Sequence, residues 1–347
     1  MGEYVWHIQS VVLTIVCILF RELSMSKGLS QNWLEHRKII NYNDSYILSG
    51  SKFSCGGIYG LEIPVINSLS IVEKTIEECK KQGVKCSRFN ETRGAGFIPE
   101  SELKEMLIAC QEHNIGLVLS LSPRPEYDTQ STFYRSPFGL EQCRKLNNMN
   151  AIRWSIDEAI RLAELGCRGL IVYDLGVLHL LNEMRKDGLL PQDLCFKASS
   201  HCMVTNPYIA KIYFNTGSDS ITMMHDCSIE ILSETRRINN EKVLDIPIDT
   251  YKDKGGFLRY HEIADIVRYS SPVFLKVGAS AQSNPYDDVN NFIISKRVKS
   301  AVVCQEYLYR ELPNAKIVSP NNPICCLPKI LPQKTKHKNE DLLSSSV

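Results

Sequence analysis

Short apolar runs alternate with amphipathic segments along the middle of the chain. Eight runs predict strands, at Ile58–Val65, Val84–Phe89, Gly116–Leu121, Gly169–Tyr173, Cys195–Ala198, Ser220–Met223, Ile246–Ile248 and Val273–Val277. Each of the first seven is followed by a helical pattern, at Ile71–Lys81, Glu100–His113, Ser155–Leu165, Leu175–Lys186, Pro207–Asn215, Ser228–Arg237 and Arg259–Tyr269. Gly83, Gly166 and Gly217 stand where such helices end and suit a left-handed cap.

Regular strand–helix alternation favours parallel pairing, and eight units predict a closed (β/α)8 TIM-like barrel of the α/β class. An open, doubly wound sheet is the alternative. It is disfavoured because no glycine-rich phosphate loop follows the first predicted strand. We expect residues 1–51 to be an N-terminal extension, residues 52–285 to be the barrel and catalytic domain, and residues 286–347 to be an irregular C-terminal extension. Its last residues, from Pro332, are polar and predicted to be disordered.

Two segments interrupt the pattern. Ser122–Asn150 is a long loop, which is typical of a lid or binding loop, although a variable surface insertion is the alternative. Val11–Phe20 is apolar but too short for a membrane span, so no stable span is expected. A signal peptide would have Lys or Arg before its apolar stretch, and none precedes Val11. A docking helix, a true start at Met25 and a signal anchor remain open.

Composition narrows the class of protein. The chain has 347 residues, 44% of them hydrophobic and 23% charged, with a formal net charge of +1. This balance does not indicate a nucleic-acid partner. The 13 cysteines contain no CxxC pair, which favours buried thiols in a reducing, cytoplasmic environment. Cys304, Cys325 and Cys326 do not form a ligand set for an iron–sulfur cluster, and none is expected.

Ionisable residues are concentrated where the predicted strands end, which is where barrel enzymes carry their chemistry. Charges of both signs in one pocket shift pKa values towards neutrality, as acid–base catalysis requires. The predicted catalytic residues are Asp174, His201, His225, Asp226, Asp249 and Lys276. Arginine binds carboxylates bidentately. Arg88, Arg93 and Arg135 are therefore the candidates for holding a substrate carboxylate. The full set of predicted substrate-binding residues is Glu62, Arg88, Arg93, Arg124 and Arg135.

Each residue type also has a structural explanation. Asp174 and Asp226 suit the N-caps of the helices that follow them, and Asp249 and Lys276 could form an ion pair. The histidines could be satisfied by backbone groups. A divalent metal held by Glu62, His201, His225, Asp226 and Asp249 is chemically reasonable, although no tight metal motif such as HExxH is present. Lys197, with strand residues on both sides, is a weaker candidate for a Schiff-base lysine.

Four segments between Val84 and Tyr269 are distinctive: TRGAGFIPESELKEML (Thr92–Leu107), GCRGLIVYDLGVLHLLNE (Gly166–Glu183), ASSHCMVTN (Ala198–Asn206) and SITMMHDCSIEIL (Ser220–Leu232). In these segments the chain resembles the peptidase U32 family of collagenase-like proteases. Two departures stand out. His225-Asp226 replaces an Arg-Glu pair that is common in the family, and the cysteine-bearing segment expected after the seventh strand is absent from Asp245–Tyr269.

The resemblance implies a hydrolase or tailoring enzyme that acts on a peptide or a peptide-derived small molecule. No nucleophile elbow surrounds Ser199 and Ser200, so metal or acid–base activation of water is expected rather than a serine mechanism. Two other functions remain open. One is a metal-assisted carbon–carbon lyase or isomerase. The other is a non-catalytic partner protein, whose strand-end charges would neutralise one another.

Overall fold

A computed structural model describes residues 48–123, 145–285 and 287–330, together with Trp33, His36 and Tyr46. Eight parallel strands form a closed barrel in which each strand pairs with its neighbours in the chain, and the eighth pairs with the first. The predicted (β/α)8 barrel is confirmed. Residues 124–144 of the predicted lid, the apolar N-terminal run and the polar tail from residue 331 lie outside the described residues.

The described strands and helices agree with the predicted alternation. The strands are β1 Tyr59–Pro64, β2 Arg88–Asn90, β3 Gly116–Ser120, β4 Gly169–Val172, β5 Cys195–Ala198, β6 Ser220–Thr222, β7 Val243–Pro247 and β8 Val273–Lys276. The α-helices are α1 Leu69–Gln82, α2 Glu100–Glu112, α3 Met149–Glu164, α4 Leu175–Lys186, α5 Pro207–Thr216, α6 Ile229–Ile238, α7 Ile263–Ser270 and α8 Asn291–Glu311. β7 begins three residues earlier than expected, and α3 begins six residues earlier.

Local side chains explain several helix ends. Asn148 caps α3 by accepting a hydrogen bond from the Ala151 N–H at 2.8 Å, which explains the early start of that helix. Ser228, and not Asp226, caps α6. Gly83 ends α1 with a φ of 70°, a left-handed conformation that disfavours side chains other than glycine.

Alternate strand residues face opposite sides of the barrel wall. Leu61 and Ile63 on β1 face the helices, whereas Glu62 between them faces the barrel interior. Helix α8 packs against both α1 and α7 and so completes the outer layer. The domain boundary at residue 285 stays a prediction, although the helix that follows it belongs to this layer.

The C-terminal segment after α8 covers the end of the barrel where the strands begin. Ile317 forms a parallel bridge with Tyr59, and the Leu117 N–H donates to the Cys326 carbonyl at 3.2 Å. Gly116 lies so close to this segment that a Cβ on it would be 1.5 Å from the Cys325 carbonyl oxygen. The pocket into the barrel interior lies at the opposite end, where the strands finish.

Candidate active site

A buried ion network occupies the barrel interior, where bulky apolar residues are usual. Arg88 Nε donates to Glu62 Oε2 at 2.6 Å, and Arg88 Nη2 pairs with Asp245. Lys197 Nζ lies 2.5 Å from Glu62 Oε2 and 3.4 Å from Asp245 Oδ2. Phe274 stacks on the Arg88 guanidinium, with 3.7 Å between the guanidinium carbon and the ring centre. These four charged residues come from β1, β2, β5 and β7 and hold opposite walls of the barrel together.

The network neutralises its own charges. Burial by itself would raise the pKa of Glu62, but Lys197 and Arg88 outweigh it and hold that pKa well below its usual range. Glu62 and Asp245 carry two negative charges, and Arg88 and Lys197 carry two positive charges. A fifth charged residue in this part of the barrel is therefore left without an equal and opposite partner.

That residue is Lys276, at the end of β8. Its nearest carboxylate oxygen is Glu62 Oε1 at 3.8 Å, which is beyond hydrogen-bond distance. Glu62 Oε1 already accepts hydrogen bonds from Lys197 at 2.6 Å and from Asn90 at 2.9 Å. Burial, and then the charge of Lys197, lower the pKa of Lys276 to about 8. Lys276 therefore exists in both protonation states close to neutral pH.

A pocket opens above the network at the carboxyl ends of the strands, with a cavity of about 70 Å³. Polar side chains dominate its lining. They are Asn90, Thr92, Tyr173, Lys197, Ser199, Ser200, His201, Thr222, His225, Asp249, Tyr251 and Lys276. Asn90 is buried, and its Oδ1 has no hydrogen-bond donor among the described residues. The lining therefore combines two amines with an acceptor that has no donor within the described protein.

Four of the six predicted catalytic residues line this pocket: His201, His225, Asp249 and Lys276. The other two do not. Asp174 caps α4 by accepting from the Val177 N–H at 3.1 Å, and it also accepts from the Leu146 N–H at 3.0 Å. Asp226 is exposed and does not line the pocket. The capping interpretation of Asp174 is therefore the one that the geometry supports.

Asp249 is held by the loop after β8 and not by Lys276. Its carboxylate accepts hydrogen bonds from the Gly278 and Ala279 N–H groups, both at 2.9 Å, and from Ser280 Oγ at 2.8 Å. Burial raises the pKa of Asp249, although these donors oppose the shift. No ion pair joins Asp249 to Lys276 in the described part of the chain. Asp249 therefore shapes the pocket wall through the β8 loop.

Replacing Asp249 with alanine is expected to reduce the free energy of unfolding by about 2–3 kcal/mol. The change leaves the Gly278 and Ala279 N–H groups buried without an acceptor. Urea denaturation measures the effect, with the exposed Asp226→Ala as the matched control, for which about 0.5 kcal/mol or less is expected. Equal losses in the two variants would contradict the positioning role of Asp249.

The predicted substrate-binding residues lie in different places. Glu62 and Arg88 are buried in the ion network below the pocket, where each already has charged partners. Arg93 lies in the loop after β2, does not line the pocket, and its backbone N–H donates to Glu91. Arg124 and Arg135 lie outside the described residues. Of these five, the structure brings only Glu62 and Arg88 next to the site, as its base.

A divalent metal site was a hypothesis from the residue types, and the cysteines were expected to be buried thiols. Within the described ranges, no group of three or more His, Cys, Asp or Glu residues is arranged to hold a metal ion. The cysteines described in the structure are free thiols, and Cys325 and Cys326 pack against the base of the barrel. No helix in the described part of the chain is both long and apolar enough to cross a membrane.

The sequence interpretation missed Asp245 and considered Lys197 in a different role. Asp245 was overlooked because the seventh strand was expected to begin at Ile246, the residue after it, whereas β7 begins at Val243. Its signal was a charged residue inside an apolar run, at a position that alternates with Leu244 and Ile246. Lys197 had been considered as a Schiff-base lysine, but its ion pairs with Glu62 and Asp245 assign it to the base of the pocket.

Comparison with known proteins finds similar folds among solved structures. No protein-family model matches the chain, and no curated protein matches it. Among solved structures, a U32 peptidase is similar at 14% identity and a TM-score of 0.39, covering 65% of this chain and 95% of its own. Thiamine phosphate pyrophosphorylase from Pyrococcus furiosus is similar at 10% identity and a TM-score of 0.40, covering 72% and 96%.

A 2,3-dimethylmalate lyase of the PEP mutase/isocitrate lyase superfamily is similar at 7% identity and a TM-score of 0.40, covering 64% of this chain and 75% of its own. Likeness at this level does not identify a substrate or a reaction. Those have to be argued from the residues that form the pocket.

Proposed function

We propose that this chain is an enzyme that binds a small organic acid at the carboxyl ends of its barrel strands and uses the Lys276 amine in the reaction. The observation that carries the proposal is the position of Lys276. It lines the pocket, its side chain is 18% exposed, and its charge is not balanced by the ion network beneath it.

Charge supports an anionic substrate. The four-residue network is neutral, so Lys276 adds a net positive charge at the base of the pocket. The one carboxylate that lines the described pocket is Asp249, whose oxygens already accept hydrogen bonds from the β8 loop. A carboxylate entering the pocket beside Lys276 could form the close ion pair that this amine lacks, in a poorly solvated place where ionic attraction is strong.

Size supports a small group. A cavity of roughly 150 Å³ is enough to hold benzene. The cavity measured in this pocket is about 70 Å³, which suits a carboxylate with a few neighbouring atoms. The resemblance to U32 peptidases suggested a peptide or a peptide-derived molecule. A cavity of this size favours a peptide-derived acid, or the terminal carboxylate of a short peptide, over an extended chain.

The unbalanced charge of Lys276 also bears on the hypothesis of a non-catalytic partner protein. A partner protein that had lost its chemistry was expected to have strand-end charges that neutralise one another. Glu62, Arg88, Lys197 and Asp245 have that property, but Lys276 does not. Proton transfer at neutral pH needs a group with a pKa near the working pH, and Lys276, at about 8, is such a group. An enzyme is therefore the function that the site supports best.

Carboxylate binding is the first test of this proposal. Acetate, glycine and glycylglycine should raise the melting temperature of the protein, whereas the matched neutral amides acetamide and glycinamide should not. Because the ammonium form of Lys276 attracts the anion, the apparent Kd measured by calorimetry should rise as the pH is raised through about 8. Equal effects of the acids and the amides, or a Kd independent of pH from 6 to 9, would contradict the proposal.

A further inference from the structure

We propose that Lys276 Nζ forms a covalent imine with the carbonyl carbon of a small oxo acid bound in the pocket. The inference rests on the proposed function, because it uses the same pocket and the same anionic ligand, and it extends that function to a carbonyl substrate. It is carried by the placement of two lysines and one asparagine around the cavity.

The Lys276 amine has no hydrogen-bond acceptor in the described part of the protein. The one carboxylate oxygen near it, Glu62 Oε1, is 3.8 Å away and receives two shorter hydrogen bonds from Lys197 and Asn90. The Lys276 side chain is mostly enclosed, yet it lines the pocket. A nitrogen in this position can turn its lone pair towards a bound ligand without breaking a hydrogen bond.

Lys197 gives the site its second cation. Its Nζ is fixed by Glu62 at 2.5 Å and by Asp245 at 3.4 Å, and it lines the same pocket. A lysine that is locked in two ion pairs is a poor nucleophile. Its charge favours the neutral form of Lys276, since a nearby cation and burial both activate an amine. Of the two lysines, Lys276 therefore suits covalent chemistry, and Lys197 favours its neutral form.

The reaction balances without an oxidant or a reductant. The neutral Lys276 amine attacks the carbonyl carbon, a C–N bond forms, and the carbonyl oxygen takes the proton that nitrogen releases. The resulting carbinolamine then loses its oxygen as water, and the C–O bond breaks to leave a protonated imine. His201 and His225 line the same pocket and are the candidates for delivering the proton that water carries away.

Asn90 supports the intermediate. Its Nδ2 donates a hydrogen bond to Glu62 Oε1, and its buried Oδ1 has no donor among the described residues. A buried acceptor without a partner costs free energy, so it is an observation that calls for a ligand. The hydroxyl of a carbinolamine is a donor that a simple carboxylate lacks. The pocket therefore fits the adduct better than it fits an unreactive acid.

Reductive trapping tests the inference. The full chain is incubated with pyruvate and sodium cyanoborohydride, and the adduct is located by peptide mass spectrometry. We expect one reduced pyruvate adduct per chain, on the peptide that contains Lys276. The exposed Lys211→Arg serves as the control and should be labelled like the original protein. Lys276→Arg keeps the positive charge but lacks the amine, and it should not be labelled at this position.

The outcomes separate the two proposals. If pyruvate raises the melting temperature but leaves no adduct on Lys276, the imine is refuted and carboxylate binding is retained. If pyruvate neither binds nor forms an adduct, both proposals fail. Labelling spread over surface lysines, and undiminished in Lys276→Arg, would also refute the imine. Should Lys276→Arg not fold, Lys276→Met provides the second variant, since it removes the amine without adding bulk.

Discussion

Replacing Arg88 with methionine is expected to destabilise the barrel by about 3–5 kcal/mol, or to prevent folding altogether. Arg88 is fully buried and pairs with both Glu62 and Asp245. Its removal leaves two carboxylates in the barrel with Lys197 as their one close cation, and an uncompensated buried charge is costly. Urea denaturation followed by circular dichroism measures the free energy of unfolding.

The control for this change is Arg153→Met. Arg153 is exposed on α3 and pairs with Asp157 at 3.5 Å, so its loss should cost only about 0.3–0.5 kcal/mol. The double variant Arg88→Met/Asp245→Asn should recover part of the loss, because it removes one uncompensated carboxylate. A cost below about 1 kcal/mol for Arg88→Met would show that the network is not the structural base of the barrel.

Replacing Lys276 with methionine is expected to have the opposite effect on stability while abolishing carboxylate binding. The pKa of Lys276 in the folded protein, about 8, lies below its ordinary value of 10.5. Below pH 8 the folded state therefore holds a charge that it disfavours, at a cost of up to about 3 kcal/mol. Removing the amine relieves that cost at pH 7, so the melting temperature should rise.

The pH dependence makes this prediction specific. Above pH 8 the folded protein releases the Lys276 proton and the unfolded chain keeps it, so the original protein gains stability as the pH approaches 10.5. The advantage of Lys276→Met should therefore shrink over that range. Lys211→Met, at an exposed position on α5, should change neither binding nor stability. A large destabilisation by Lys276→Met at pH 7 would mean that Lys276 is structural.

The two variants also separate the roles of the charges inside the barrel. Arg88 and Lys197 neutralise Glu62 and Asp245, and they hold four strands in place. Lys276 lines the pocket and takes no close ion pair. A site that keeps an unbalanced charge does so at a cost to stability, which is common where a residue serves function. Opposite shifts in stability would therefore identify which charges serve folding and which serve the ligand.

Local features of the sequence determined the elements and some of their ends. The bounds of β5 and α4 agree with their prediction from the apolar pattern alone, because burial of one face imposes its period on the residues. The cap formed by Asp174 involves the N–H of Val177, three residues away, and was among the interpretations available from the sequence. Gly83 likewise marks the end of α1 by its backbone conformation.

Only the tertiary structure decided which charges meet. Glu62 pairs with Lys197, 135 residues later in the chain, because closure of the barrel brings β1 and β5 to face each other across its interior. Strand ends seen in sequence cannot separate Asp249, which faces the pocket, from Asp226, which faces solvent. The segment from Ile317 to Cys326 has no periodic pattern. Its place at the base of the barrel follows from its close contacts with Gly116 and Tyr59. Pairing between distant residues is set by the packing of the whole barrel, which no local pattern records.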